Sequence, residues 1–407
     1  MNTYPEIVIS TDPISLDYQK ELLRDSKLED YSSITDVWDI PHSSIKLAYL
    51  THSIFRFFGK FPPPVARGLI SRYTKIGDMV FDPMCGSGTT ALECLLMDRK
   101  VVCSDVSVLS ELLVNVKCQY VKGSRLKQTL SNLNEKYKKL SSKNYDLKIP
   151  FDESRIEHWY LPQTFKNLQR IKSLINDIDD EITRRVFDCI FISIIRKVSK
   201  ATSLQGRLFL DVKSAQSEPI IEFNKSAEKI IKAVSALPEN FASPRFIRED
   251  VRHVNFKEIN PKLIICHPPY FNVYKFSTIF SLELPWLGIS NKELSKNEVR
   301  EFFKIGKEEN VHKYVDDMAD SIRALSSQIN KKTYFSLMIG DTRLRGKHIP
   351  TTRLLLDCLR DIDLELINIA IRRPKFTEAS WVASQRREGD KVGIVLSDFI
   401  LTFEKKK

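Results

Sequence analysis

The stretch from Met79 to Asp105 constrains this chain more than any other. A short apolar run, MVF (79–81), gives way to DPMCGSGTT (82–90); ALECLLM (91–97) continues with helical character, and KVVCSD (100–105) is a second apolar run closed by an acid. Gly86 and Gly88 permit a tight turn and close approach of a ligand to the backbone, and the first N–H groups of the following helix have no partner inside it. Strand, glycine turn, helix and acid-ended strand make half of a doubly wound α/β sheet, so a Rossmann-like α/β fold is predicted. Just before it, PPPVARGLISRYT (62–74) predicts a helix entered through prolines.

The turn admits two kinds of ligand, besides serving as a plain structural turn. Gly86, Gly88 and Ala91 satisfy the dinucleotide pattern GxGxxA, and Asp105 lies 19 positions after Gly86, where such folds place the acid for a ribose hydroxyl. A nicotinamide or flavin enzyme is therefore a rival reading. Against it stand Asp82 and Pro83 directly ahead of the turn. An acid at that strand end repels a pyrophosphate and suits a ligand carrying an ammonium group. S-adenosylmethionine has that group, a sulfonium and a ribose diol.

Further along, strand signals recur at 244–250, 263–266, 334–341, 364–371 and 392–404. The last two read as a closing antiparallel pair joined by a long basic loop (372–391). LIIC (263–266) runs straight into His267, Pro268, Pro269 and Tyr270. Prolines at the carboxyl end of a central strand have no N–H to donate and can turn carbonyl oxygens into a pocket, where open α/β sheets bind ligands. A tyrosine ring beside them suits an extrahelical base held by its amino group. A proline-terminated strand with a capping histidine is the bland alternative.

On these residues the chain resembles a known family. FDPMCGSGTTALE is similar to motif I of the S-adenosylmethionine-dependent amino-methyltransferases that modify exocyclic nitrogens of DNA bases (N4 of cytosine, N6 of adenine), and FFGKFPPPVARGLISRYTKIGD is similar to the cofactor-binding segment that precedes it. With ICHPPY and the later strands, the likeness covers most of the chain outside 110–240. It implies S-adenosyl-L-methionine as cofactor, held by Lys60, Phe61, Asp82, Pro83, Met84, Gly86, Ser87, Gly88, Thr89, Asp105 and Asp250. Within that set the likeness puts Lys60 at the methionine end, Phe61 at the adenine or sulfonium side, and Asp250 at the adenine amino group. It makes His267, Pro268, Pro269 and Tyr270 the catalytic motif, whose first residue in the family is Asp, Asn or Ser. Here it is His267, whose ring nitrogen can also accept from an amine, and which in an ordinary setting would lose that ability below about pH 6.5. N4 of cytosine is slightly favoured over N6 of adenine. The alternatives are an RNA guanine-N2 methyltransferase and a catalytically silent, cofactor-binding regulator of nucleic acid.

The middle of the chain is expected to be helical. Ile182, Val186, Phe187, Ile190, Phe191, Ile194, Ile195 and Val198 recur at helical spacing, with Arg185 and Arg196 set off that stripe. Residues 117–213 carry 20 Lys/Arg against 11 Asp/Glu, most of the chain's net charge of +11, which makes this region a candidate surface for double-stranded DNA. The residues expected to meet nucleic acid are Arg184, Arg185, Arg196 and Lys197 here, Arg343 and Lys347 near a later strand end, and Arg372, Arg373, Arg386 and Arg387 in the basic loop. The domain reading is an N-terminal arm (1–50), a catalytic domain (51–115 and 241–407), and a helical insertion (116–240) that recognises the target. The resemblance adds a site-specific role as in restriction–modification, with a cognate restriction endonuclease as a possible partner. Oligomeric state is left open. The seven cysteines are scattered without zinc spacing, so no metal is expected. With neither a signal peptide nor an apolar run of about 20 residues, a cytoplasmic protein of a prokaryotic cell, without membrane attachment, is expected.

Overall fold

Short strands whose side chains alternate between two apolar faces need a helical layer on each side, and this chain supplies both. The computed structural model describes residues 4–139, 147, 149–202, 208–211, 217–241, 243–271, 276–290, 293, 309–344, 347–372 and 394–406. The N-terminal part forms β1 (Val8–Ser10), α1 (Pro13–Asp25), β2 (Thr35–Asp39) and α2 (Pro63–Tyr73). Asp12 caps α1 by accepting the Ser15 N–H at 3.0 Å. Pro63 and Pro64 open α2, where their missing N–H groups cost nothing. The predicted half-sheet follows as β3 (Met79–Asp82), α3 (Thr89–Leu96) and β4 (Lys100–Ser104), leading into α4 (Val108–Lys117). Helices α5 (Gly123–Lys139), α6 (Glu153–Trp159), α7 (Pro162–Asn176), α8 (Glu181–Val198) and α9 (Pro219–Val234) come next. The remainder is β5 (Arg245–Ile247), β6 (Leu263–Cys266), α10 (Phe276–Ile279), α11 (Glu309–Ser326), β7 (Tyr334–Leu344), β8 (Lys347–Ile349), α12 (Thr351–Cys358), β9 (Leu364–Arg372) and β10 (Ile394–Lys405).

The strands form one sheet in the order β1-β2-β9-β10-β7-β6-β3-β4-β5, with β8 paired to β7. From β5 to β7 the ladder is parallel: β5 on β4, β4 on β3, β3 on β6 and β6 on β7. The predicted closing pair is present, and β10 inserts antiparallel between β7 and β9. Alternate residues feed two cores. Phe81, Ile264, Cys266, Leu337 and Phe399 face a cluster with α1, α11 and α12, while Val80, Leu263, Ile265, Met338 and Ile400 face one with α2 and α3. This is the Rossmann-like sheet with an antiparallel closing pair that the sequence predicts.

Two expectations need correction. Residues 1–50 do not form a polar arm: β2 lies parallel to β9 in the sheet, with Val37 opposite Ile371, and β1 pairs with β2. Burying Val37 and Trp38 in this edge is what orders the segment. The stretch 116–240 is helical as expected, and the isolated bridge Ala201–Leu210 is its one extended pairing among the described residues. Its core is nevertheless continuous with that of the flanking segments, because Phe187, Ile190 and Phe191 share a cluster with Ile54, Phe58, Leu113 and Phe280. Within α8 the apolar stripe is buried except Ile182, which is 40% exposed in the first turn, and Arg196 is buried, not outward.

Candidate active site

The parallel ladder brings four strand ends to one edge. β3 ends in Asp82 and enters the glycine turn; β4, with Cys103 opposite Asp82, is followed by Asp105; β5, with Ile247 opposite Ser104, is followed by Asp250; and β6 on the other flank of β3 runs into His267. The chain leaves β3 for β4 and β5 on one side and returns on the other at β6, so the crevice opens where the winding reverses. Residues widely separated in sequence thus converge at the carboxyl ends of adjacent strands.

The glycine turn is knitted to β4. Cys85 N–H donates to the Ser104 carbonyl at 3.0 Å, Gly88 N–H to the Cys85 carbonyl at 2.8 Å, and Gly86 N–H to Asp105 Oδ2 at 2.9 Å. Asp105 Oδ1 also accepts Ser107 N–H at 2.9 Å, so this acid first organises the turn, and a ribose hydroxyl would use its remaining lone pairs. Burial raises the Asp105 pKa, held back by those two N–H donors. Asp82 is 1% exposed and accepts the Met84 N–H at 3.2 Å. Burial above all, with some repulsion from Asp105, pushes its carboxyl up to about 7. No basic side chain pairs with Asp82 among the described residues. Such an acid is fitted to a cationic ligand, which would stabilise its ionised form. Pro83 lies buried between Asp82 and Met84, Ser87 is buried at the middle of the turn, and Thr89 begins α3.

Other expected cofactor residues are more heavily engaged. Asp250 sits past β5 at the right edge, but both its oxygens accept from Arg252, at 2.9 and 2.5 Å. Burial works to raise its pKa and the Arg252 pair outweighs it, leaving the carboxyl below its ordinary value. An adenine amino group would have to share Asp250 with that guanidinium or displace it. Lys60, exposed as a residue, donates to the His52 carbonyl at 2.8 Å; desolvation of its ammonium at that bond and the nearby Lys229 charge lower its pKa to about 8. Phe61 is buried, its ring edge-on to His267 at 5.1 Å, so it joins the cofactor segment to the Pro-Pro-Tyr motif. The aromatic ring against the turn is instead Phe57, whose Cε1 would stand 3.1 Å from a Cβ on Gly86. Phe57 opens the segment FFGKFPPP likened above to the cofactor-binding segment, whereas no sequence motif marks Lys117, a buried lysine whose Nζ lies 3.4 Å from Ser87 Oγ. The nearby segment is held by Glu93 of α3, which accepts from Tyr49 at 2.5 Å, His52 at 2.7 Å and Arg67 at 2.8 Å.

The His267-Pro268-Pro269-Tyr270 motif is supported from behind. Tyr314 of α11 donates to the Pro269 carbonyl at 2.8 Å. Of the two proline carbonyls only that of Pro268 therefore has no donor among the described residues. Tyr270 donates to Asp398 Oδ1 at 3.0 Å, and Asp398 is paired in the sheet with Arg372. The expectation that Arg372 meets phosphate is corrected: it is 6% exposed and its guanidinium is committed to Asp398. The expectation of an ordinary imidazole at His267 also changes. Burial, then the Arg372 charge, lowers its pKa to about 3, so the ring is a neutral acceptor throughout the physiological range.

The remaining basic residues divide. Arg196 is 7% exposed, bonds to the Ile279 carbonyl and lies 3.5 Å from Glu283, so it is a core residue and does not meet phosphate. Arg184 donates to the Ile178 carbonyl at 3.3 Å, Arg185 is paired with Glu181 at 2.5 Å, and Lys197 is exposed. Lys347 is exposed at the start of β8 and Arg343 lies on the facing β7 backbone. Arg373, Arg386 and Arg387 lie outside the described residues.

Strand order, a glycine turn flanked by Asp82 and Asp105 and a Pro-Pro-Tyr motif on the neighbouring strand are the arrangement expected of a Rossmann-like fold that binds S-adenosylmethionine. Residues 6–108 match the family model described as DNA methylase. The type II methyltransferase M.MvaI of Kocuria varians is 25% identical over 167 residues, 39% of this chain and 37% of that protein. The type II methyltransferase M.MjaII of Methanocaldococcus jannaschii is 28% identical over 130 residues, 32% of this chain and 24% of that protein. The matches thus span well under half of these relatives. Among solved structures, the rRNA methyltransferase aviRa from Streptomyces viridochromogenes aligns over 85% of this chain and 88% of its own at 12% identity, with a TM-score of 0.32. At that score the fold rests on the strand order and register above.

Proposed function

We propose that the protein transfers the methyl group of S-adenosylmethionine to an exocyclic amino group of a base in DNA, at a specific site, with N4 of cytosine slightly favoured over N6 of adenine. The observation that carries this reading is the adjacency of β3 and β6, which sets the glycine turn with Asp82 beside His267-Pro268-Pro269-Tyr270 at one sheet edge. When bound, the cofactor supplies an electrophilic methyl on a sulfonium. Asp82, ionised, would hold its ammonium, and Asp105 its ribose.

The amine of a base is a poor nucleophile because its lone pair is delocalised into the ring. The Pro268 carbonyl and the neutral His267 ring offer acceptors that hold its N–H groups and stabilise the positive charge that builds on nitrogen as the N–C bond forms and the C–S bond breaks. A ring with so low a pKa is a weak base, so His267 orients the amine and the departing proton passes to solvent. Tyr270, fixed by Asp398, offers a ring face for an extrahelical base, and such stacking is worth about 1–3 kcal/mol.

Transfer of labelled methyl groups from the cofactor to DNA and to RNA, followed by base analysis, tests the reading. Label in N4-methylcytosine or N6-methyladenine of DNA is expected; label in guanine of RNA alone, or cofactor binding with no transfer, would replace it by one of the two alternatives. A restriction–modification role would show as protection of DNA from a cognate endonuclease.

A further inference from the structure

Lys117 ends α4 and is 2% exposed. Its ammonium has a single side-chain partner, the Ser87 hydroxyl at 3.4 Å in the middle of the glycine turn, and no carboxylate reaches it among the described residues. The helix is pressed against the turn at this point, since a Cβ on Gly88 would come 2.8 Å from Val114 Cγ2. Its last residue is tied to the segment before the turn, where Thr51 Oγ1 donates to the Lys117 carbonyl at 2.7 Å. Lys60, bonded to the next residue's carbonyl at His52, is the basic group whose charge Lys117 feels. Lys117 and Lys60 are thus near enough for their charges to interact, and among the described residues neither ammonium is paired with a carboxylate. A buried ammonium without a counter-ion is unfavourable, and an apolar side chain would fill the same volume without that cost. A group this deep is out of reach of a duplex phosphate, and the ligand that would satisfy it is a small anion lying along the glycine turn.

We propose that Lys117, acting with Lys60, receives the carboxylate at the methionine end of the cofactor from the Ser87 side of the glycine turn, as a binding residue in its own right. The inference rests on the cofactor assignment and goes beyond it. It divides the amino-acid end of the ligand between two poles, Asp82 for the ammonium and the lysine pair for the carboxylate. Burial, then the Lys60 charge, lowers the Lys117 pKa to about 7, so an arriving carboxylate would draw a proton onto it.

The test compares S-adenosylmethionine with its decarboxylated form, two ligands that differ only in the carboxylate, by calorimetric titration of the full chain. Lys117→Met should weaken S-adenosylmethionine binding at least tenfold and decarboxylated binding less than twofold. Equal weakening for both ligands would show that Lys117 only shapes the turn, and unchanged binding of both would remove it from the site. Both results overturn the proposal. Should Lys117→Met not fold, Lys117→Gln, which keeps a donor for Ser87, should discriminate between the ligands in the same way. In the wild-type protein at pH 7, titration in two buffers of different ionisation enthalpy should show more proton uptake with S-adenosylmethionine than with the decarboxylated form. Equal uptake would also overturn it. Failure of the wild-type protein to bind either ligand would instead remove the cofactor assignment itself.

Discussion

At the scale of single residues, Asp82 sets function against stability. Its carboxyl ionises near 3.8 when unfolded and near 7 when folded without ligand. The folded state thus holds the proton more tightly, and the stability this gives is full below the unfolded pKa and lost as pH rises towards 7. At about 1.4 kcal/mol per unit, the loss is on the order of 4 kcal/mol by pH 8. Asp82→Asn should therefore raise the melting temperature of the unliganded protein at pH 8 and change it little at pH 4, while weakening cofactor binding. In the wild type, affinity for S-adenosylmethionine should fall by up to tenfold per unit below about pH 7 as the acid is protonated. A flat affinity profile between pH 5 and 8 would show that Asp82 does not meet the ligand's charge. His267 behaves in the opposite sense. With its pKa lowered to about 3, it stays neutral, so turnover should show no step near 6.5 arising from this ring. His267→Ala should cut turnover by about 10²-fold with cofactor affinity intact, and His267→Asn should recover part of it. Full activity of the alanine variant would leave the Pro268 carbonyl as the acceptor.

At the scale of elements, the turn between β3 and α3 depends on Gly88 for packing as well as conformation. Gly88 has φ +75° and its missing Cβ is where Val114 of α4 sits, at 2.8 Å. Gly77 has a similar φ of +84° with nothing within 4 Å. Gly77→Ala should cost only the left-handed penalty of about 1–2 kcal/mol, and Gly88→Ala that plus about 1–3 kcal/mol of overpacking, read by urea unfolding. Equal costs would mean that α4 gives way freely. What was legible in the sequence follows the same division. The strand–turn–helix unit, the later strands and the helices of 116–240 could be read because their signals are local: glycine and proline punctuation, and apolar repeats of period 2 or 3.6. The sheet edge made by β1 and β2 could not, because those strands are short and owe their order to β9, far along the chain. The same distinction governs the site. Asp82 and His267 stand in motifs, whereas Lys117, Tyr314 and Asp398 matter through partners distant in sequence, such as Pro269 for Tyr314 and Tyr270 for Asp398.

At the scale of the whole molecule, the helical region shares its core with the segments that flank it, and its charges fall into two kinds. Arg196 of α8 crosses into the segment after the Pro-Pro-Tyr motif, reaching Glu283 and the Ile279 carbonyl and lying over the Phe58 ring at 5.4 Å. Glu283 is itself buried, with Oε2 unpartnered and its pKa raised mainly by burial. Truncating Arg196 would leave that acid without its counter-charge. Breaking a buried pair in this way typically costs about 3–5 kcal/mol. Lys197 and Arg185, by contrast, project from the same helix, the first exposed and the second tied only to Glu181 on the surface. If this face meets DNA, Arg185→Ala with Lys197→Ala should reduce the slope of log affinity against log salt by roughly 0.9 for each phosphate no longer neutralised, with stability altered by about 0.5 kcal/mol or less. Arg196→Met should do the reverse, lowering the melting temperature and leaving the slope unchanged. Salt-dependent binding and thermal unfolding on the two variants separate the roles. An unchanged slope in the double variant would return this face to ordinary solvated surface, and a reduced slope in Arg196→Met at unaltered stability would mean that the buried pair opens to DNA.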